Sequence, residues 1–140
     1  MANAAKAPVS RFRHPANKEV SVMAWIENAY GELLFVQQAK GPKRWALPGG
    51  KVKRFESLSS AIKREIKEET DLKVIHLEPI DFYDRYASGN VTILYRVKVQ
   101  RPKAGLKIKK TTEILGGDFL DKIPANSTPS AKYFWKKQRA

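Results

Sequence analysis

Three glutamates near the middle of the chain have a spacing that suits chemistry with a hard metal ion. Glu65, Glu68 and Glu69 lie at positions i, i+3 and i+4 of a stretch without glycine or proline that runs from 51 to 72. In a helix, this spacing brings three carboxylates to one patch of the surface. Carboxylate oxygens are the donors that Mg²⁺ and Mn²⁺ prefer. The pattern is therefore compatible with a divalent-cation site on a helix.

The helix predicted here carries its acids on the apolar side. Three apolar residues at four-residue spacing define the apolar stripe, Leu58, Ile62 and Ile66, and Ser57 stands at the expected N-cap. With Leu58 at zero and about 100° per residue, the two isoleucines lie at about 40° and 80°. Glu69 then lies at about 20°, Glu65 at about −20° and Glu68 at about −80°. Two carboxylates are expected within the stripe and the third at its edge.

This placement needs an explanation, because an ionised carboxylate without a partner loses several kcal/mol or more when it leaves water. Either the acids face a polar cleft and bind a cation, or each is paired with an arginine or lysine from elsewhere. Acids on a solvated helix face are a third interpretation. The wheel disfavours it, because Lys63 and Lys67 occupy the side opposite the stripe.

The residues around the acids form a longer pattern with fixed spacings. Gly50 is followed after five residues by Glu56 and after seven more by the run 64–72 (REIKEETDL). This pattern resembles the Nudix box, G-x5-E-x7-R-E-U-x-E-E-x-G-U with U an aliphatic residue, and the lead-in 45–50 (WALPGG) is also similar. The only departure is Asp71 in place of glycine. Since aspartate tolerates the left-handed conformation better than most residues, we expect a small stability cost and unchanged chemistry.

The resemblance implies an α/β fold of the α+β type, in which a mixed β-sheet lies between helices and the box forms a loop-helix-loop. It also implies an acid-anhydride hydrolase that uses Mg²⁺ or Mn²⁺ to cleave the diphosphate linkage of a nucleoside diphosphate joined to another moiety. The expected metal ligands are Glu65, Glu68, Glu69 and the backbone carbonyl of Gly49. Glu56 and Arg64 would orient these acids. The candidate general base is Glu65, and Glu113, six residues before Phe119, is its rival and a candidate further ligand.

Basic residues near the box are candidates for binding the phosphates of the substrate. The loop 39–44 (AKGPKR) is basic and leads into the box, and Lys51 follows its first glycines. Lysine, arginine and free backbone N–H groups bind phosphate. Arg44 and Lys51 are the expected substrate-binding residues. The alternative is that the basic residues of the loop are only exposed to solvent and do not bind substrate.

Length and composition favour one domain without sulfur chemistry. With 140 residues, we expect a basic flexible leader over 1–17 and a single domain over 18–140. A strand added at the sheet edge and a transit peptide are the alternatives for the leader. The absence of cysteine excludes disulfides and thiolate metal sites. No apolar run approaches 18 residues, so we expect no membrane span and a cytoplasmic protein. The net charge of +13 attracts polyanions, which makes RNA a candidate partner.

Hydrophobic patterning outside the box predicts the other elements. Strands are expected at 19–27, 32–38, 73–86 and 90–100, and a helix from Thr128-Pro129 to Arg139. The first two strands are expected to form an antiparallel hairpin. Pro79 indicates an edge strand or a bulge, and Phe134 and Trp135 are expected to dock the last helix. The segment 101–110 is expected to be a basic loop.

Two other functions fit the same features. The chain could be a nucleotide- or RNA-binding module with the Nudix fold, which the excess positive charge would suit. Such a module would be free to lose its acids, and because all three are present, an enzyme is favoured. An RNA 5′-end pyrophosphohydrolase would use both the acids and the charge.

Overall fold

The computed structural model describes residues 18–100, 108 and 110–139. The predicted leader 1–17 and most of the predicted basic loop 101–110 lie outside these residues. The elements are β1 (Glu19–Trp25), β2 (Leu33–Gln38), β3 (Trp45–Ala46), β4 (Gly49–Lys51), α1 (Leu58–Thr70), β5 (Val74–Arg85), a 3-10 turn (Tyr86–Ser88), β6 (Asn90–Val99), β7 (Ile114–Leu120) and α2 (Pro129–Arg139). Neither helix is long and apolar enough to cross a membrane.

The strands form two sheets. Four strands make a mixed sheet in the order β4-β1-β6-β5, in which β1 and β6 run parallel and the other neighbours antiparallel. The remaining three make an antiparallel sheet in the order β3-β2-β7. This architecture confirms the predicted α+β class with a mixed sheet.

The predicted hairpin of the first two strands is wrong. The turn between them exists, and the Asn28 side-chain oxygen accepts hydrogen bonds from the backbone N–H groups of Tyr30 and Glu32, each at 3.0 Å. Antiparallel pairing, however, is limited to a bridge between Glu27 and Leu33. Beyond it the strands enter different sheets, where each has neighbours on both sides. Alternation of apolar residues predicts a strand but does not identify the neighbour with which it pairs.

The two helices pack on opposite faces of β1. Even-numbered residues from 22 to 26 join a buried cluster that contains Ile62 and Ile66 of α1. Trp25 joins a second cluster that contains Phe134 of α2. Because successive side chains of a strand point to opposite faces, the mixed sheet lies between the helices. The predicted docking of the last helix is confirmed, since Phe134 is fully buried.

Helix α1 has the ends that its sequence predicts. The Ser57 hydroxyl caps the first turn by accepting a hydrogen bond from the Ser60 N–H at 3.1 Å. Asp71 ends the helix in the left-handed conformation, with φ 58° and ψ 16°. Leu58 contributes little to the apolar stripe, because it starts the helix and is 36% exposed.

The predicted features of the last strand pair and helix are also present. Strand β5 lies at the edge of the mixed sheet, and its pairing with β6 is irregular between Pro79 and Asp81. Proline has no N–H for a sheet, so edges and bulges accommodate it. The Thr128 hydroxyl caps α2 by accepting a hydrogen bond from the Ala131 N–H at 3.2 Å.

Candidate active site

A cavity of about 620 Å³ lies where α1 faces β4 and the start of β7. Four carboxylates line it, Glu65, Glu68, Glu69 and Glu113. The turn Gly49-Gly50 and three basic side chains, Lys51, Lys53 and Arg64, line it as well. The fold therefore brings together the acids of the box and the distant Glu113.

The exposure of the three helix acids divides as the wheel predicts, with two acids turned inward and one at the edge. Glu65 is 7% exposed and is counted among the buried residues of the helix. Glu69 is half-buried, whereas the Glu68 side chain is 53% exposed. The helix therefore carries two of its acids toward the interior and one at the edge.

The two glycines at the start of the box, Gly49 and Gly50, allow close approach of the backbone to its neighbours. A Cβ atom on Gly50 would lie 2.4 Å from Glu65 Oε2, and one on Gly49 would lie 2.0 Å from the Val22 carbonyl oxygen. Gly49 also has φ +156°, which side chains disfavour. Its N–H donates a hydrogen bond to Glu69 Oε1 at 3.1 Å. Glycine at position 50 leaves room for the Glu65 carboxylate against β4, and glycine at position 49 allows β4 to lie close to β1.

Arg64 ties the loop of the box to the helix. Its guanidinium donates two hydrogen bonds to the Glu56 carboxylate, from Nε to Oε2 at 2.7 Å and from Nη2 to Oε1 at 3.0 Å. Nη1 donates to Glu65 Oε2 at 2.9 Å and to Glu68 Oε1 at 3.3 Å. Nη2 also donates to the Lys51 carbonyl at 3.1 Å. This single side chain thus fixes the loop and orients two of the acids.

The negative charge of Glu56 is stabilised by its hydrogen-bond donors. Hydrogen bonds from Arg64, and then from the Lys53 N–H, lower the pKa of Glu56 from 4.5 to about 2. The pKa of Arg64 is raised in turn, chiefly by its hydrogen bonds to Glu56. Both groups are therefore fully charged over the physiological range.

The negative charges of Glu65 and Glu69 are less well stabilised. Burial raises the pKa of Glu65, although the Arg64 guanidinium opposes the shift. Burial raises the pKa of Glu69 to about 8, and repulsion from Glu65 and Glu113 adds to the effect of burial. The hydrogen bond from the Gly49 N–H offsets only part of it. The surroundings of Glu65 and Glu69 therefore stabilise the ionised carboxylate less than those of Glu56 do.

In the described part of the chain, no three histidine or acidic side chains are grouped closely enough to hold a metal ion as they stand. The arrangement has a physical cause, because like charges repel and each acid takes another partner. Arg64 engages Glu65 and Glu68, while the Gly49 N–H engages Glu69. The donor set nevertheless fits a hard cation, since it consists of carboxylate oxygens.

The remaining predicted site residues fall in different places. Glu113 shares a second, smaller cavity of about 260 Å³ with the three helix acids. Lys51 lines the main cavity and forms an ion pair with Glu19 at 3.1 Å. Arg44 is exposed and is not among the residues that line that cavity. Its carbonyl pairs with the Gln38 N–H, so its backbone closes a loop at one side of the cavity.

Lys53 and Gln38 are among the cavity residues that sequence reasoning missed. Lys53 lies inside the box, at one of its unspecified positions, and its position three residues after Gly50 was a usable signal. Gln38 ends β2 and enters the site because β2 pairs with β7, which follows Glu113. Nothing in the local sequence around Gln38 signals this long-range pairing.

Comparison with known proteins agrees with this geometry. The sequence profile of the NUDIX domain matches residues 17–121. The chain therefore belongs to the Nudix family. Nudix hydrolase 5 of Arabidopsis thaliana is 31% identical over 83 residues, which are 56% of this chain. The chain spans only 28% of the length of that relative.

Solved structures share the fold at lower identity. The MutT NUDIX hydrolase of Burkholderia pseudomallei is 22% identical, with a TM-score of 0.65 over 85% of this chain and 96% of its own. A NUDIX hydrolase of Nitrosomonas europaea is 23% identical, with a TM-score of 0.67 over 87% of this chain and 88% of its own. A bifunctional NMN adenylyltransferase/ADP ribose pyrophosphatase of Francisella tularensis is 20% identical, with a TM-score of 0.67 over 96% of this chain and 44% of its own.

Proposed function

We propose that the chain is a divalent-cation-dependent hydrolase that cleaves the diphosphate linkage of a nucleoside diphosphate joined to another moiety. The observation that carries this proposal is the clustering of four carboxylates, Glu65, Glu68, Glu69 and Glu113, around one cavity that also contains lysines. Membership of the Nudix family supports it. A substrate that carries several negative charges can enter an acid-lined cavity only when cations accompany it.

The residues that would hold Mg²⁺ or Mn²⁺ are Glu65, Glu68 and Glu69, with the carbonyl of Gly49 and with Glu113 as a further candidate. The raised pKa values of Glu65 and Glu69 support this role, because a bound cation would favour the ionised form that burial disfavours. When bound, such a cation neutralises the diphosphate and lowers the pKa of a coordinated water.

The protein side chains supply the proton transfer and the positioning. Glu65 is buried and has a raised pKa, which suits a carboxylate that accepts the proton of the attacking water. Glu113 is exposed at the same cavity and is the rival base. Arg64 holds Glu65 in place, while Glu56 fixes Arg64.

The lysines at the cavity are suited to bind the phosphates. Lys51 and Lys53 both line it, and a lysine ammonium contributes a mobile point charge that a phosphate oxygen accepts well. Arg44 lies outside the lining residues and would contact only a part of the substrate that extends beyond the cavity.

The test is a turnover panel of ADP-ribose, dinucleoside polyphosphates, nucleotide sugars, nucleoside triphosphates and 5′-triphosphate RNA, each with and without Mg²⁺ or Mn²⁺. We expect hydrolysis of at least one member that requires the cation. Glu69→Gln should lower kcat by about 100-fold or more. The matched control is Glu78→Gln, because the Glu78 side chain lies on β5 and is 54% exposed; its kcat should stay within about twofold.

Two outcomes would contradict the proposal. One is turnover that persists unchanged without a cation or in Glu69→Gln. The other is no turnover of any member while RNA is still retained on a filter, which would favour the binding module. Turnover confined to 5′-triphosphate RNA would narrow the proposal to an RNA 5′-end pyrophosphohydrolase.

A further inference from the structure

A large aromatic side chain is exposed to solvent two residues after Lys53, which lines the cavity. Phe55 is 96% exposed, the highest value among the exposed large hydrophobic residues in the described part of the chain. It also has φ +65°, in the left-handed region that a bulky side chain seldom adopts. The position is therefore unfavourable for phenylalanine in two independent respects, hydration and backbone conformation.

The conformation is imposed by a tight turn. The Glu56 N–H donates to the Lys53 carbonyl at 3.1 Å, which makes Phe55 the third residue of a four-residue turn. Glycine or asparagine is favoured at this position when φ is positive. Glu56 Oε1 accepts the Lys53 N–H at 2.9 Å and is itself held by Arg64. The turn is thus anchored to the same network that orients the acids.

The surroundings of Phe55 match the chemistry of a nucleotide. Lys53 lines the cavity, and the Cα atom of Phe55 lies within about 7 Å of that of Lys53, because two residues of extended chain span no more than this. The Arg54 guanidinium lies 5.2 Å from the centroid of the Phe55 ring. Planar aromatic rings and guanidinium groups are the surfaces on which nucleobases stack. Positive charge for phosphate and an aromatic face for a base are therefore adjacent.

We propose that Phe55 is the stacking platform for the nucleobase of the substrate and so a specificity-determining residue. The inference rests on the proposed function in one respect, that the diphosphate occupies the acid-lined cavity. Phe55 lies two residues from Lys53, which lines this cavity, whereas the other strongly exposed aromatic residues, Tyr30 at 79% and Tyr86 at 81%, have no lining residue so close in sequence. Exposure alone therefore does not distinguish Phe55 from these tyrosines, but its closeness in sequence to a residue of the cavity lining does.

The experiment compares two ligands that resist hydrolysis and differ only in the nucleoside, α,β-methylene-ADP and methylenediphosphonate. Their dissociation constants are measured by isothermal titration calorimetry with Mg²⁺ present for the wild type, Phe55→Gly and Phe55→Ala. Both variants should weaken binding of α,β-methylene-ADP by roughly 5- to 100-fold. Binding of methylenediphosphonate should change by less than about twofold, because only the stacked base is lost.

Thermal melting separates this role from a structural one. Phe55→Gly relieves the positive φ and should leave the melting temperature unchanged or raise it by about 2–4 °C, while binding of the nucleotide weakens. Tyr30→Ala is the matched control, an exposed aromatic truncated away from the cavity, and should leave both dissociation constants unchanged.

Three results would overturn the inference. They are unchanged affinity for α,β-methylene-ADP in both variants, an equal loss of affinity for both ligands, and wild-type protein that does not bind the nucleotide. None of these depends on turnover. Failure of the proposed function, seen as absence of hydrolysis across the panel, is therefore distinguished from failure of the stacking role.

Discussion

The two ends of the Nudix box differ in how their carboxylates are satisfied. At the loop end, Glu56 accepts both hydrogen bonds that the Arg64 guanidinium can present to one carboxylate, and its pKa is lowered to about 2. At the helix end, Glu69 accepts a hydrogen bond from the Gly49 backbone N–H and has another acid, Glu65, as a neighbour, and burial raises its pKa to about 8. The two acids belong to one motif and lie in opposite electrostatic environments.

The difference in electrostatic environment indicates which acids of the motif have a structural role and which are suited to bind a cation. The charge of a carboxylate that accepts two hydrogen bonds from an arginine is already compensated within the protein, so this carboxylate gains little from a bound cation. Half-buried and buried carboxylates that repel one another are destabilised in the free protein, and a divalent cation would relieve them. We infer that the loop end holds the geometry and that the helix end performs the reaction.

Breaking the close packing at the helix end should have the largest effect. A methyl group at Gly50 would lie 2.4 Å from Glu65 Oε2, so Gly50→Ala should displace this carboxylate and lower kcat by about 100-fold. Steady-state kinetics on the substrate found in the panel would measure it. The control is Gly89→Ala, because Gly89 has φ +71° and open space around its Cβ position. This variant should lose about 1 kcal/mol of stability with kcat unchanged; equal kcat losses would contradict the argument.

Weakening the loop end should have a smaller effect on turnover. Lysine cannot reproduce the two parallel hydrogen bonds from Arg64 to Glu56, so Arg64→Lys should lower kcat by about 10- to 100-fold through misplaced acids. Arg96→Lys is the matched control, since Arg96 forms an exposed pair with Glu78 at 4.0 Å. If Arg64→Lys retained full activity, Arg64 would not be the residue that orients the acids.

The dependence of stability on pH should distinguish the two ends by sign. The folded-state pKa of Glu69 is above its usual value of 4.5, so the native state binds the proton more tightly and stability falls as pH rises from about 4.5 to 8. The pKa of Glu56 is below its usual value, so its contribution is present above about pH 4.5 and is lost as pH falls toward 2.

Urea unfolding at pH 5 and pH 8 without divalent cations would measure this contrast. Wild-type protein should lose on the order of 1–3 kcal/mol more between these two values than Glu69→Gln, which has no carboxyl group to ionise. An equal loss in both proteins would show that Glu69 does not titrate in this window.

The departure from the family pattern at Asp71 should have the smallest effect. Asp71 has φ 58°, and glycine adopts this conformation without strain, so Asp71→Gly should raise the free energy of unfolding by about 0.5–1 kcal/mol. The lost ion pair with Lys67 joins side chains that are 73% and 79% exposed and should offset little of this. Activity should not change. Destabilisation by Asp71→Gly, measured by thermal melting, would indicate that the aspartate side chain contributes more than the pair suggests.

The sequence predicted most of what depends on local pattern. The N-cap at Ser57, the left-handed residue at Asp71 and the division of the acids of α1 into two inward and one at the edge all follow from spacing on one helix. The irregularity at Pro79 follows from a missing N–H. Each of these features is determined by residues within a few positions of one another.

Features that depend on long-range pairing could not be predicted in the same way. The assignment of β1 and β2 to different sheets depends on which distant strands flank them. Gln38 reaches the cavity for the same reason, and Arg44 stays outside its lining. The alternation of apolar residues identifies a strand and its buried face but contains no information about its partner.

The central claim is that the helix-end acids bind a divalent cation, and titration of the purified protein with Mg²⁺ and Mn²⁺ by isothermal titration calorimetry tests it most directly. We predict that the wild type binds, that Glu65→Gln and Glu69→Gln each weaken binding by about 10-fold or more, and that Glu78→Gln binds as the wild type does. Wild-type protein that binds neither cation, or acid variants that bind as tightly as the wild type, would contradict the claim.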